Sequence, residues 1–369
     1  PGYYYRHRPD NTYSDASACG NETASERAQM RDFIVNSVKY WTKEYHIDGF
    51  RFDLMAIHDI ETMNLVAEEL RKINPNIIIY GEGWTAGDSP LPVADRALKE
   101  NVSHMTGIAV FSDDIRDAVK GHYSKADDRG FATGKPGLEE TVKIGVVAST
   151  AHPQVDYSKG ANSRFPYAAS PTQIINYVSC HDDLCLTDKL AASMPGSTEA
   201  DRIRAAKLAQ TIVFTSQGTP FMFAGEEMFR NKKGVHNSYK SPDSINAIDW
   251  TLKEKNADLF NYYQQLIAFR KMHPSLRMTS AEDIAKNIVF DKVSAPNVVS
   301  YSIFNNASAD DAKEIKIVYN GSDKPYQLKV KRGKWTVIAD DATISADGLR
   351  RFDGGKITVA PRSALILTR

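Results

Sequence analysis

Asp53, Glu82 and Asp182 each stand just after a short apolar run, and Arg51 and His181 stand beside two of them. Asp53 closes Gly-Phe-Arg-Phe-Asp, Glu82 follows Ile77–Tyr80 and Gly81, and Asp182 follows Ile174–Val178. Glu226 and Glu227 repeat the pattern after Pro220–Ala224. Two nearby carboxyl groups in unlike surroundings can divide labour: one stays ionised as nucleophile, the other carries a proton to the leaving group. Arg51 lies two residues before Asp53, so on a strand both side chains leave the same face. A guanidinium there favours the anionic form of Asp53. Taken singly, each acid reads as the cap of a following helix. Taken together, acids at the same kind of position in several runs read as one site. The nine histidines show no H-E-x-x-H or comparable spacing, so no metal site is predicted and no cofactor is required. The loop carboxylates are compatible with a structural calcium ion, but no EF-hand-like loop occurs. Cys19, Cys180 and Cys185 form neither a disulfide framework nor a zinc pattern and read as ordinary thiols.

Acids at strand ends converge only if the strands run parallel. The chain predicts such units. Met30, Phe33, Ile34, Val38, Trp41 and Tyr45 recur at helical spacing, behind a candidate capping box Thr23-x-x-Glu26, giving a helix from about residue 25 to residue 45. A strand over residues 49–53 follows. Asp59 then caps a helix with Ile60, Met63, Ala67, Leu70 and Ile73 on one face, stopped by Asn74-Pro75. Ile77–Tyr80, Ile108–Phe111, Ile174–Val178 and Pro220–Ala224 are further strands, with helices over about Glu199–Thr215 and Ala257–Met272. Residues 112–170 read as a long polar stretch with one helix near Leu138–Ser149. Alternating strands and helices imply a parallel sheet, and parallel sheets carry their sites at the carboxyl ends of the strands.

After Pro274 the texture changes. Seven short strand-like runs, separated by turns such as Asn320-Gly321 and Arg332-Gly333, predict an all-β sandwich. With 369 residues, 42% of them hydrophobic, the chain can bury a large core without disulfides or metals. Lys+Arg and Asp+Glu balance at 46 each, so no broad field attracts nucleic acid or an anionic membrane surface, and neither is expected as a partner. No apolar run approaches the roughly 20 residues that span a bilayer. The sequence assigns no compartment.

Asp48-Gly-Phe-Arg-Phe-Asp53, Tyr80-Gly-Glu82-Gly-Trp84 and Asn176-Tyr-Val-Ser-Cys-His181-Asp182 resemble, in order, three of the four conserved regions of the α-amylase superfamily (glycoside hydrolase family 13). The flanking text is similar to the type I pullulanases, which cleave α-1,6 branch linkages. It includes Pro1-Gly-Tyr-Tyr-Tyr-Arg6, Gln217-Gly-Thr-Pro-Phe221, Ala224-Gly-Glu-Glu227 and Asn237-Ser-Tyr-Lys-Ser-Pro-Asp-Ser-Ile-Asn246. The resemblance implies a (β/α)8 barrel of the TIM type followed by the β-sandwich. Residues 1–274 would hold the carboxyl-terminal part of the barrel, about strands four to eight, and residues 275–369 the sandwich. It implies a retaining double displacement on pullulan, starch or glycogen-derived dextrins. Asp53 would be the nucleophile, Glu82 the acid and base, and Asp182 the third carboxylate. Their working pair should lie about 5–5.5 Å apart. Arg51 would orient Asp53 and His181 would bond the sugar. Trp84 offers a stacking face, with one or two of Tyr3, Tyr4 and Tyr5. Asn237, Tyr239, Asp243 and Asn246 would line the substrate cleft.

The sequence departs from the family in three places. The Asp-x-x-x-Asn-His strand end of the first conserved region does not occur, and about five strands are countable where a barrel needs eight. The chain therefore reads as the carboxyl-terminal piece of a longer enzyme, with the N-terminal part of that enzyme as its expected partner besides α-glucan. Asp183 stands where the family usually has Asn, a second carboxylate that would raise the pKa of one of the Asp182–Asp183 pair. Ala56 stands where Gly is common. Two rival readings share the same residues: an α-1,4-acting member of the superfamily, and a non-catalytic glucan-binding fragment.

Overall fold

The structure is a computed structural model that describes residues 3–369. The chain divides into two compact units. The first comprises the residues up to Phe111 together with Tyr167–Ile175, the second Ser112–Pro166 with Asn176–Arg369. Among the described residues no helix is long and apolar enough to cross a membrane.

The first unit is built on parallel strands. β1 (Gly49–Phe52), β2 (Ile78–Gly81), β3 (Ala109–Phe111) and β4 (Ile174–Asn176) pair in that order. β1 and β2 align Arg51 with Tyr80 and Phe52 with Gly81. The helix Ile60–Arg71 is capped by Asp59, which accepts from Thr62 N at 2.9 Å, and it buries Met63, Val66, Ala67 and Leu70. The helix Ala28–Tyr45 starts later than its sequence suggests. Arg27 is its N-cap without a side-chain bond, and Glu26 pairs with Arg6 at 2.6 Å instead of closing a capping box with Thr23. Its buried stripe is Met30, Val35, Val38 and Thr42. Phe33, Trp41 and Tyr45, three of the residues that recur at helical spacing, are exposed, as is Tyr40. The Trp41 and Tyr45 rings pack on one another instead, tilted by 34° with centroids 4.6 Å apart.

The second unit joins helices to antiparallel strands. It contains β5 (Thr219–Pro220), β6 (Ile288–Phe290), β7 (Val298–Phe304), β8 (Glu314–Asn320), β9 (Tyr326–Val330) and β10 (Trp335–Asp340). β11 (Thr343–Ile344), β12 (Arg350–Phe352), β13 (Gly355–Val359) and β14 (Ser363–Thr368) complete it. β5 is shorter than predicted; the chain leaves it at once, and Phe221 N donates to Asn176 O at 2.8 Å. The large antiparallel sheet runs β11-β10-β14-β8-β7-β6, with β12 on β10, and β13 pairs β9 separately.

Period-two alternation sends each strand's side chains to opposite faces. Ile315, Ile317 and Tyr319 of β8 and Ile366 of β14 pack in one core with Ile115, Val142, Ile212 and Leu266 from the helices. Val318, Leu365 and Leu367 face the other way, into a second core with Trp335, Leu328, Val330, Ile357 and Val359. The sheet thus carries helices on one face and the β9–β13 ribbon on the other.

The helices Glu199–Thr215 and Ala257–Met272 end where the sequence puts them. The helices Asp113–Lys120 and Leu186–Ser193 are additions. In the first, every residue from Asp114 to Lys120 is buried, charged ones included; its apolar residues are only Ile115, Ala118 and Val119, too few to announce it.

Candidate active site

The first unit brings three of the expected residues together. Continuing the β1–β2 register by one position sets Asp53 beside Glu82 at the carboxyl ends of both strands. Glu82 N donates to Phe52 O at 3.1 Å, which fixes that step. A carboxylate oxygen of Asp53 and one of Glu82 come within 4.8 Å of each other. Arg51 forks between them: one nitrogen donates to Asp53, the other to Glu82 Oε1 at 2.5 Å. The second oxygen of Glu82 accepts from Leu54 N at 2.8 Å. Glu82 is buried and Asp53 exposed, so the two carboxyl groups do sit in unlike surroundings.

Glycine makes the close approach. A Cβ on Gly81 would sit 2.7 Å from Phe52 O and 2.8 Å from Met55 Cβ. Trp84, two residues past Glu82, is half-buried. Tyr3, Tyr4 and Tyr5 are all exposed, and Tyr5 meets Tyr13 edge-on at 5.8 Å.

The second unit carries the other candidates on two loops. His181 Nε2 lies 3.5 Å from Asp182, with both side chains about half exposed. Cys180 Sγ lies 3.3 Å from His181 Nδ1. Asp183, at a left-handed φ of 61°, ties the two loops: its N–H donates to Asn237 Oδ1 at 2.7 Å, and its carboxylate meets His236 at 3.2 Å. Tyr239 is 77% exposed and Asp243 is exposed. Asn246 spends its side chain inside its own loop. Its Nδ2 donates to Ser238 O at 2.7 Å and Ser241 O at 2.9 Å, and its Oδ1 accepts from Ser238 Oγ at 2.7 Å.

Residues 284–343 match the family model described as the all-β domain of pullulanase. Over 338 residues the chain is 36% identical to the pullulanase of Bacillus subtilis strain 168, covering 89% of this chain and 46% of that protein. The solved pullulanase of Bacillus acidopullulyticus superposes with a TM-score of 0.92 at 39% identity, over 100% of this chain and 44% of that one. The chain is a pullulanase homologue. The pullulanase of Paenibacillus barengoltzii, solved with maltohexaose and alpha-cyclodextrin, superposes with a TM-score of 0.88 at 38% identity, over 100% of this chain and 55% of that one. The chain therefore spans about half the length of the pullulanases it matches.

Within this pullulanase-like frame, sequence reasoning missed the partners that lie far apart in the chain. The Asp183–His236 pair joins residues that no local spacing connects. Asp183 is raised, chiefly because burial disfavours its charge; the Asp182 charge adds less, and Lys120, Arg116 and His236 oppose. Glu226 reads in sequence as one more strand-end acid. Here it is buried and pushed up to about 7 by that burial. Its neighbour Lys120 is buried too and pushed down to about 8 for the same reason.

Proposed function

We propose that the chain carries the catalytic carboxylates of a debranching glycoside hydrolase that cleaves α-1,6-glucosidic linkages in pullulan, starch or glycogen-derived dextrins with retention of configuration. The observation that carries this reading is the β1–β2 register, which sets Asp53 beside Glu82 with Arg51 between them. In the first displacement Asp53 attacks the anomeric carbon, Glu82 gives its proton to the glycosidic oxygen, and the bond to the leaving chain breaks. In the second, Glu82 takes a proton from water, the water oxygen attacks the same carbon, and the ester to Asp53 breaks. Two inversions restore the α configuration. Oxygens within 4.8 Å suit the short spacing of this class, about 5–5.5 Å, better than the roughly 6.5–9.5 Å of inverting enzymes.

For Glu82 to hold a proton, one of its oxygens must leave Arg51 or Leu54 N as substrate arrives. Asp182 and His181 would grip sugar hydroxyls, and Trp84, Asn237, Tyr239 and Asp243 would line the glucan path. Carboxylates and Arg51 perform every step of this scheme, so it calls on no cofactor. The substrate class is supported by solved relatives that hold maltohexaose or maltotetraose. We also read the parallel strands as the carboxyl-terminal strands of a barrel whose others lie elsewhere in a longer protein. The exposed Phe33, Tyr40 and Trp41 are apolar surface that such a part would cover.

Product analysis on pullulan and amylose, side by side, tests the function in the full-length protein. The reading expects maltotriose from pullulan, amylose untouched, and the α-anomer as the first product in the NMR spectrum. A β-anomer would sink retention. Cleavage of amylose would move the activity to α-1,4 linkages, and no cleavage of either would leave glucan binding alone.

A further inference from the structure

Glu226 is a buried carboxyl group to which the scheme above gives no task. It is 5% exposed, at the start of the turn Glu226–Met228. Three donors reach it. Ser179 Oγ donates to Oε1; Gln210 Nε2, from the helix Glu199–Thr215, donates to Oε2 at 3.0 Å; Phe223 N donates to Oε2 at 3.1 Å. Ser179 Oγ accepts in turn from Leu186 N at 3.2 Å. The Glu226–Ser179–Leu186 chain thus pins both ends of the segment 179–186, which holds His181 and Asp182.

We propose that Glu226 is a positioning residue that, through Ser179, holds the segment 179–186 in the conformation in which His181 and Asp182 meet a glucan. The inference rests on the function proposed above for those two residues. Its physical basis is the strength of a hydroxyl bond to an ionised acceptor, roughly twice that of a neutral one. A protonated Glu226 would donate to Ser179 Oγ and reverse that bond. The charged and titratable groups facing Glu226 are Lys120 from the helix Asp113–Lys120, Cys185 from the pinned segment, Tyr263 from the helix Ala257–Met272, and the adjacent Glu227. Burial outweighs Lys120 and places the proton's departure near neutrality, at about 7.

Hydrogen exchange read by mass spectrometry on the whole chain tests this without relying on activity. Ser179→Ala removes the link. Glu226→Gln keeps the volume and fixes the protonated pattern, its amide NH2 facing Ser179. At pH 8 both variants should exchange the 179–186 amides about tenfold faster than wild type, with the helix Ala257–Met272 not accelerated. In wild type, protection of that segment, corrected for intrinsic rates, should rise about tenfold between pH 5.5 and 8, and Glu226→Gln should be flat. Maltotriose should bind several-fold more weakly to both variants at pH 8. Unchanged protection in both variants overturns the proposal. So does acceleration spread over the whole second unit, which would make Glu226 merely structural. A pH slope that survives in Glu226→Gln also overturns it, because Lys120 or Cys185 would then be responsible. Failure of wild type to cleave glucan would count against the proposed function and not against the brace, which exchange reads directly.

Discussion

At the residue scale the site turns on one guanidinium serving two carboxylates. Arg51 forks with a separate nitrogen on each carboxylate, held in one rigid plane, whereas a lysine ammonium on its flexible stem would not fix the orientation of the two acids. Under the function proposed above, Arg51→Lys in the full-length protein should therefore lower kcat on pullulan by about 10²-fold while KM moves little, since the lost contact orients the carboxylates more than it holds sugar. Asp53→Asn keeps the size of the side chain proposed as nucleophile and removes the chemistry proposed for it. Turnover should fall by about 10⁴-fold or more, with maltotriose affinity, read by calorimetry, nearly unchanged. An Asp53→Asn enzyme that still turned over pullulan at a tenth of the normal rate would remove Asp53 from the mechanism. Arg51, Asp53 and Glu82 were legible in the sequence because strand alternation places the first two and parallel register adds the third. Asp183 and His236 were not, because their pairing depends on how two distant loops meet.

At the element scale, legibility followed the length and apolar content of a segment. The helices Glu199–Thr215 and Ala257–Met272 carry enough apolar residues for their ends to be read directly. The helix Asp113–Lys120 buries Arg116 and Asp117 against each other at 2.7 Å, with Arg116 also on Tyr177 at 3.0 Å. Paired charges take the place of apolar residues there, and a pattern search reads them as surface. The strand ends show the opposite case, where one small residue decides the geometry. Gly81→Ala would force β1 and β2 apart at the step that aligns Asp53 with Glu82, because the new methyl meets the Phe52 carbonyl. Overpacking of this kind costs about 1–3 kcal/mol. The urea midpoint should drop accordingly, and kcat should fall further than the loss of folded protein explains. A variant with wild-type kcat would show that the register tolerates the methyl.

At the scale of the whole molecule, His58 and Glu226 give stability opposite pH slopes. His58, in the first unit, is pushed down to about 4 by burial, so the folded chain resists protonating it. Between about 4 and its ordinary 6.5 the unfolded chain binds the extra proton, and the His58 contribution is lost as pH falls through that window. Glu226, in the second unit, is raised from 4.5 to about 7, so there the folded chain holds the proton the unfolded chain has released. Its contribution is full below about 4.5, declines as pH rises, and is gone above about 7. The shift corresponds to a stability change on the order of 3 kcal/mol, enough to show in urea midpoints taken from pH 4.5 to 8. Between about 4.5 and 6.5 the two slopes oppose each other and largely cancel in wild type, so Glu226→Gln should expose the loss on the acid side and a His58 substitution should expose the decline toward neutral pH. The helices of the second unit and its antiparallel sheet share one core, so the Glu226 effect should reach β8 and β14 and not stop at the change of texture near Pro274. Exchange protection of Ile317 and Ile366 that failed to follow Glu226 through its titration would separate sheet from helices and refute that coupling.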